Sequence, residues 1–298
     1  MARTTDPDLA PQELRILVAV ADTGGFSAAA DALGVTQSAV SHSVRGSERK
    51  IGAVLFDRAR TGARPTPAGE KAVAHARRIL RLLQVLTAEA REAARPDAAR
   101  GPLRIAAFRS AALHLLPPVL ERLRARHPGI EPRVRIVREV GRGTAGEVAD
   151  GKADIAIATL GGSVPPPPGL VASGLFDEPY ALVHPEGHTD PRSLPLVDWA
   201  ENCGSYTRRW WAAQDWIPAA TVEAEDDGTV LSLVSAGHGM AIMPALSLTG
   251  APEAVSVTDL GSDRPTRQVG YVTTSELARS AVVRAFVREL RATVPQGC

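Results

Sequence analysis

From Phe26 to Phe56 the alternation of apolar and polar positions predicts two short helices joined by a tight turn at Gly34. The first holds Ala28, Ala29, Ala30, Ala32 and Leu33, small side chains that let a neighbouring element approach closely, and Gly34 supplies the backbone freedom of the turn. Thr36 caps the second helix. Val40 and Val44, four residues apart, face inward, while Gln37, Ser41 and Arg45 form a second row, with Ser38 and His42 beside it. This is the layout of a helix-turn-helix, and the row suits the major groove: Gln pairs bidentately with adenine, Arg with guanine, and Ser or His with phosphate or base edges. The competing reading is the solvated face of an ordinary helix.

Further along, Phe56 to Pro65 reads as a glycine-centred turn with arginines on both sides, a wing in which Arg58, Arg60 and Arg64 lie along the sugar-phosphate backbone and position rather than specify. Thr66-Pro67 starts a long helix. Its apolar positions Ala72, Ala76, Ile79, Leu83, Leu86, Ala90 and Ala93 alternate four and three apart, the spacing of a coiled-coil seam; packing on its own domain is the alternative. The stretch Arg95 to Pro102 breaks the helix and serves as a hinge. Strands and helices then alternate: strands at 103–108, 133–137 and 154–158, helices at 113–126 and 144–150, which predicts an α/β unit with a parallel sheet. Four prolines, Pro165 to Pro168, interrupt it. A second set follows, with strands at 180–183, 221–223 and 240–243, a helix at 229–236, a last strand at 268–273 and a closing helix at 280–292.

A chain of 298 residues holds two or three domains, with ample core. The net charge of +1 looks unlike a DNA binder until it is divided. Residues 1–35 carry two Arg against five acids, whereas residues 36–65 carry six Lys or Arg against two, so positive charge concentrates where DNA would lie. No apolar run approaches the roughly 20 residues of a bilayer span, and the first residues lack the apolar core of a signal peptide, so a cytoplasmic location and no membrane partner are expected. Cys203 and Cys298 are too few and too far apart for a disulfide framework or metal cluster. The sequence has no G-x-S-x-G elbow, Walker loop or H-E-x-x-H, and its seven histidines are scattered, so neither catalysis, a metal nor a cofactor is expected.

The run Leu14, Val18, Ala21, Phe26, Ala29, Ala30, Leu33, Thr36, Gln37, Ala39, Val40, Ser41, Glu48, Gly52, Leu55, Phe56, Arg58, Thr66, Ala68 and Gly69 closely resembles the N-terminal domain of LysR-type transcriptional regulators. Ser38 stands where that family usually has proline, and Ser47, with its hydroxyl, where it usually has leucine. Leu115-Leu116-Pro117, the segment from Gly151 to Ile157 and the segment from Leu233 to Met240 resemble, more loosely, the effector domain of the same regulators. The resemblance implies an α/β protein overall: an N-terminal all-α winged helix-turn-helix (residues 1–65), a linker helix that pairs subunits (66–95), a hinge (96–102) and a two-lobed, periplasmic-binding-protein-like effector domain (103–298). Double-stranded DNA, a small-molecule effector, a second or further copies in a homodimer or homotetramer, and RNA polymerase are the partners it implies.

DNA contacts are expected from Thr36, Gln37, Ser38, Ser41, His42, Arg45, Arg58, Arg60 and Arg64. Ligands of open α/β sheets gather beyond the carboxyl ends of strands, where helix N-termini offer N–H groups. Ser110 follows the first strand of the α/β region and, by family position, helps hold the effector, or else is a simple N-cap. Arg142, between Gly141 and Gly143, offers a cation after the second strand. Ser205, Tyr206 and Thr207 form the opposing lip by family position, and Asp227 either caps a helix or meets a polar effector group. Trp210, Trp211 and Trp216 are read as a packed core or hinge rather than an aromatic ligand site. Three rivals remain: a thiol sensor built on Cys203, an enzyme on a binding-protein fold, and an architectural DNA binder. The first lacks a resolving cysteine nearby, the second a catalytic group, and the third a use for the C-terminal two-thirds.

Overall fold

The computed structural model describes residues 8–59, 62–94, 99–161, 169–202 and 205–294. The chain divides into two compact units, one formed by Met1–Pro96 with Asp150–Lys152, the other by Asp97–Ala149 with Ala153–Cys298.

In the first unit, α1 (Pro11–Thr23), α2 (Phe26–Leu33) and α3 (Gln37–Ile51) precede a hairpin of β1 (Phe56–Ala59) and β2 (Gly62–Pro65) and the long α4 (Pro67–Ala94). Gly34, at φ 65°, ends α2 in the left-handed conformation that the tight turn requires and that glycine adopts without strain. The Thr36 hydroxyl accepts a hydrogen bond from Ala39 N (3.2 Å), satisfying one of the free N–H groups at the start of α3. Leu17, Val20, Ala29, Val40, Val44, Leu55 and Phe56 close a common core, with Phe26 edge-on to Phe56 at 6.3 Å. That core also takes Val73, and Ala76 is buried too. The first positions of the expected helix seam therefore pack at home, and the large apolar side chains exposed among the described residues of α4 are Ile79, Leu82, Leu83 and Leu86.

In the second unit, β3 (Gly101–Ala107), β4 (Ile130–Ile136), β5 (Ile155–Leu160), β6 (Leu170–Pro185), β10 (Val255–Asp259) and β11 (Thr266–Thr274) form one sheet in the order β10-β6-β11-β5-β3-β4, with β9 (Ala241–Pro244) also paired to β6. Between them lie α5 (Leu116–Arg126), α6 (Gly143–Ala149), β7 (Leu196–Trp199), α7 (Ser205–Ala212), β8 (Ala220–Ala224) and α8 (Asp227–Ser235), and α9 (Ala281–Thr293) closes the unit. The sheet is mixed rather than parallel: β3 runs parallel to β4 and β5, but β11 is antiparallel to both β5 and β6. The reason is β6, much longer than the expected 180–183. Its residues from Leu170 to Pro179 pair with β11, and those from Tyr180 onward with β9 and β10, so one strand serves both lobes. At that switch the buried Glu178 and Arg267 form an ion pair (2.7 Å), with the guanidinium over the Phe108 ring. Strands β7 and β10 and helix α7 have no counterpart in the expected pattern. Trp211 is buried in the second lobe, with Trp210 and Trp216 packed against the same cluster.

Several local expectations change. The residues before Leu116 form a π-helical turn, Ala111–Leu115, because Pro117 and Pro118 lack the N–H that regular helical bonding would use. The strand β3 starts at Gly101, inside the stretch expected as hinge. The cap of α8 is Asp226, which accepts from Gly228 N (2.8 Å) and Thr229 N (3.0 Å), so Asp227 is released from capping.

Candidate DNA interface and interlobe cleft

Val40 and Val44 are fully buried, which fixes the rotation of α3 and turns Gln37, Ser38, His42 and Arg45 to the outside along with Thr36. Ser41 departs from the expected row. At about 100° per residue it lies only about 60° around the helix from Val44, and its short side chain is covered to 8% exposure. Together Glu13, Gln37, Ser38, Ser41, His42 and Arg45 line a concave patch. Behind it, Lys50 is held by the Glu13 carboxylate (2.7 Å) and by the Asp8 carbonyl (2.7 Å), and its hydrogen bond keeps the Glu13 carboxyl below its ordinary pKa. Glu48 accepts from the N–H groups of Leu55 (2.9 Å) and Phe56 (3.4 Å), pinning the end of α3 to the start of the hairpin. In that hairpin Arg64 is exposed and pairs across from Asp57. Arg58 is on β1, and its side chain, like Arg60 altogether, lies outside the described residues.

The second unit gathers charge where its lobes meet. Ser110 is buried at the start of the π-helical turn and makes no capping hydrogen bond with its side chain. Its neighbour Arg109 reaches the N-terminus of α8: Nη1 lies 2.7 Å from Asp227 Oδ1, and Nε 3.9 Å from Asp226. Asp227 also accepts from the Ser247 hydroxyl (2.7 Å). A Cβ on Gly228 would stand 2.5 Å from Arg109 Nη2, so the guanidinium lies directly against the backbone of this helix end. Partial burial opposes the charge of Asp226, but N–H groups of the helix, the Thr229 hydroxyl and Arg109 together hold its carboxyl below the ordinary range.

A second bridge lies after β4. Glu139 accepts from Thr144 N (2.9 Å) and Thr159 N (2.8 Å). Its own main-chain N–H is near the carboxyl of Glu201, which follows β7 in the other lobe, and Arg138 Nε stands 3.7 Å from that carboxyl. Burial pushes Glu201 up to about 7, and the nearby Asp227 and Glu139 charges add to the rise against the pull of the N–H and Arg138.

Of the expected effector residues, Asp227 is thus drawn into the Arg109 bridge, and Arg142 is exposed on the turn before α6. Ser205, Tyr206 and Thr207 open α7, with side chains outside the described residues, as Cys203 is entirely. Sequence reasoning missed Arg109, Glu139 and Glu201. The first two follow β3 and β4, the strand ends where ligands gather, and that rule would have found them. Glu201 has no local signal.

Comparison with known proteins matches residues 11–70 to the family model described as bacterial regulatory helix-turn-helix protein, lysR family, and residues 96–295 to the LysR substrate binding domain. A probable HTH-type transcriptional regulator, LrrA, of Synechococcus elongatus is 34% identical, covering 95% of this chain and 97% of its own. Among solved structures, a full-length OxyR variant from Pseudomonas aeruginosa superposes with a TM-score of 0.73 at 21% identity, over 97% of this chain and 99% of that one. Full-length CbnR complexed with its target DNA superposes at 0.65 and 22% identity, over 96% and 100%. At such identities the two structures speak for the fold.

Proposed function

Since this chain belongs to the LysR-type family of transcriptional regulators, DNA-binding proteins with an effector-binding domain, we propose which of its residues read DNA, where its effector sits and how its copies pair. Gln37 reads base edges with Ser38, His42 and Arg45 beside it, while Ser41, covered against the core side, supports this row; Thr36 sets the helix start, and Arg58, Arg60 and Arg64 hold phosphates. The observation that carries this reading is the exposed polar end of α3, buried on its other side by Val40 and Val44. The effector lies between the lobes of the domain that begins after the hinge, against Ser110 and Asp227, with Arg142 and the segment Ser205 to Thr207 at its rim. The exposed apolar stripe of α4 joins two copies, as a dimer or within a tetramer. A reader of chromosomal DNA works in the cytoplasm, with RNA polymerase as a further partner; among the described residues no helix is long and apolar enough to cross a membrane.

Binding to cognate and random duplexes tests the DNA reading. Gln37→Ala is expected to lose about 1–3 kcal/mol on the cognate site and to relax its sequence preference. Arg64→Ala is expected to weaken both duplexes alike and to lower the salt dependence of binding. Equal losses on both duplexes for Gln37→Ala would refute the assignment.

A further inference from the structure

We propose that the outer face of α9, with the arginines of α5 beside it, is a second DNA contact of this chain, one that grips the phosphate backbone without reading sequence. Helices α5 and α9 pack against each other in the second unit. Between them they carry six arginines, Arg122, Arg124, Arg126, Arg284, Arg288 and Arg291, against two glutamates, Glu121 and Glu289. In a chain of net charge +1 this excess is local, and it equals the six cations against two acids of residues 36–65, the segment that holds the reading helix and the wing.

The fold keeps most of this charge outward. Glu289 is fully buried on the α5 side of α9, where its carboxylate accepts from Arg122 (3.1 Å) and Arg126 (3.3 Å), so one anion holds two guanidiniums and leaves a positive charge over. On α9 itself Arg284, Arg288 and Arg291 are exposed. Their spacings of four and three set them in one row, with steps of about 6 Å and about 4.5 Å along the helix axis. Arg284 and Arg288 form no ion pair among the described residues. Arg291 donates to the Ser173 (3.1 Å) and Tyr271 (3.0 Å) hydroxyls, neutral groups that steady the guanidinium without balancing its charge. Cations strung along a line suit a partner whose charges also repeat along a line, and duplex DNA has one per about 3.4 Å on each strand. A small anion would instead need them to converge on one point. Guanidiniums also match phosphate oxygens in pairs. An acidic protein is the other candidate polyanion, but protein interfaces are anchored by large apolar or aromatic side chains, and among the described residues neither helix has such a side chain exposed.

Titrations of the full chain with a long random-sequence duplex over a series of salt concentrations test this. The double variant Arg284→Ala/Arg288→Ala is expected to lower the slope of log K against log salt by about 2, and Arg284→Glu/Arg288→Glu by more. Both side chains are exposed, so thermal melts should stay as in the wild type. Arg264→Ala, which removes an arginine already paired with Asp259 (2.6 Å), should leave the slope unchanged. Arg64→Ala should lower it by about 1, and its loss should add to that of the double variant; an Arg64→Ala slope equal to the wild type would count against the wing while the α9 result stood. An unchanged slope in both double variants overturns the proposal, whether the face is solvated only or, as loss of binding to poly-L-glutamate would show, meets an acidic protein. A loss of DNA affinity that comes with a loss of assembly in light scattering also overturns it, because the face would then join copies of this chain.

Discussion

Ser47 carries a hydroxyl into the interior of the N-terminal unit, where it is fully buried and its Oγ has no partner among the described residues. Burying an unsatisfied hydroxyl costs about 1–3 kcal/mol, so Ser47→Ala is expected to stabilise the protein by an amount of that order, read as a higher melting temperature with DNA binding retained. Glu201 gives a pH signature of the opposite kind from Glu13. Its carboxyl is raised from 4.5 to about 7 in the fold, so the native state holds more protons than the unfolded chain between those values. Stability from this group therefore falls as pH rises through that window and levels off above it. Glu201→Gln should match the wild type at acid pH and exceed it at pH above about 7, by at most about 3 kcal/mol; thermal melts across the window check this. Glu13, with its carboxyl lowered by Lys50, works the other way and loses its contribution as pH falls.

At the scale of elements, α4 has two jobs along one surface. Its first turns are consumed by the N-terminal core through Val73 and Ala76, and only from Ile79 onward does an apolar stripe face outward, reaching 64% exposure at Leu86. Such a stripe on a long helix is stabilised by a second helix against it. Placing Asp at both Ile79 and Leu83 buries charge in that contact and is expected to yield monomers by light scattering. Ala72→Asp, on the home-packed side, should instead lower the melting temperature. A stable dimer in the Ile79/Leu83 double variant would remove this stripe from the interface.

For the whole molecule, an effector alters DNA binding only through a difference in its affinity for two arrangements of the protein, and the coupling is reciprocal. The two bridges, Arg109 to Asp227 and Arg138 to Glu201, join the lobes. Coupling of about 1–3 kcal/mol is typical. An operator duplex is therefore expected to shift effector affinity by the same factor as the effector shifts operator affinity, measured by titrating each in the presence of the other. Unequal factors would show that a third equilibrium, such as assembly, intervenes.

The sequence by itself determined what depends on near neighbours. The helix-turn-helix, its Thr36 cap, the inward Val40 and Val44, and the long helix after Thr66 follow from spacings of three and four and from cap chemistry, which act within a few residues. The alternation of strands and helices after residue 101 was legible for the same reason. What tertiary structure decided depends on residues far apart in the chain. The dual pairing of β6 makes the sheet mixed, and no local pattern announces that one strand serves two lobes. Ser41 is covered because of how α3 is rotated onto the core, and Asp227 is freed because Asp226 takes the cap. The meetings of Arg109 with Asp227 and of Arg138 with Glu201 join groups that only the folded chain brings together. Electrostatic energy depends on distance in space and on burial, and neither is written in the order of the residues.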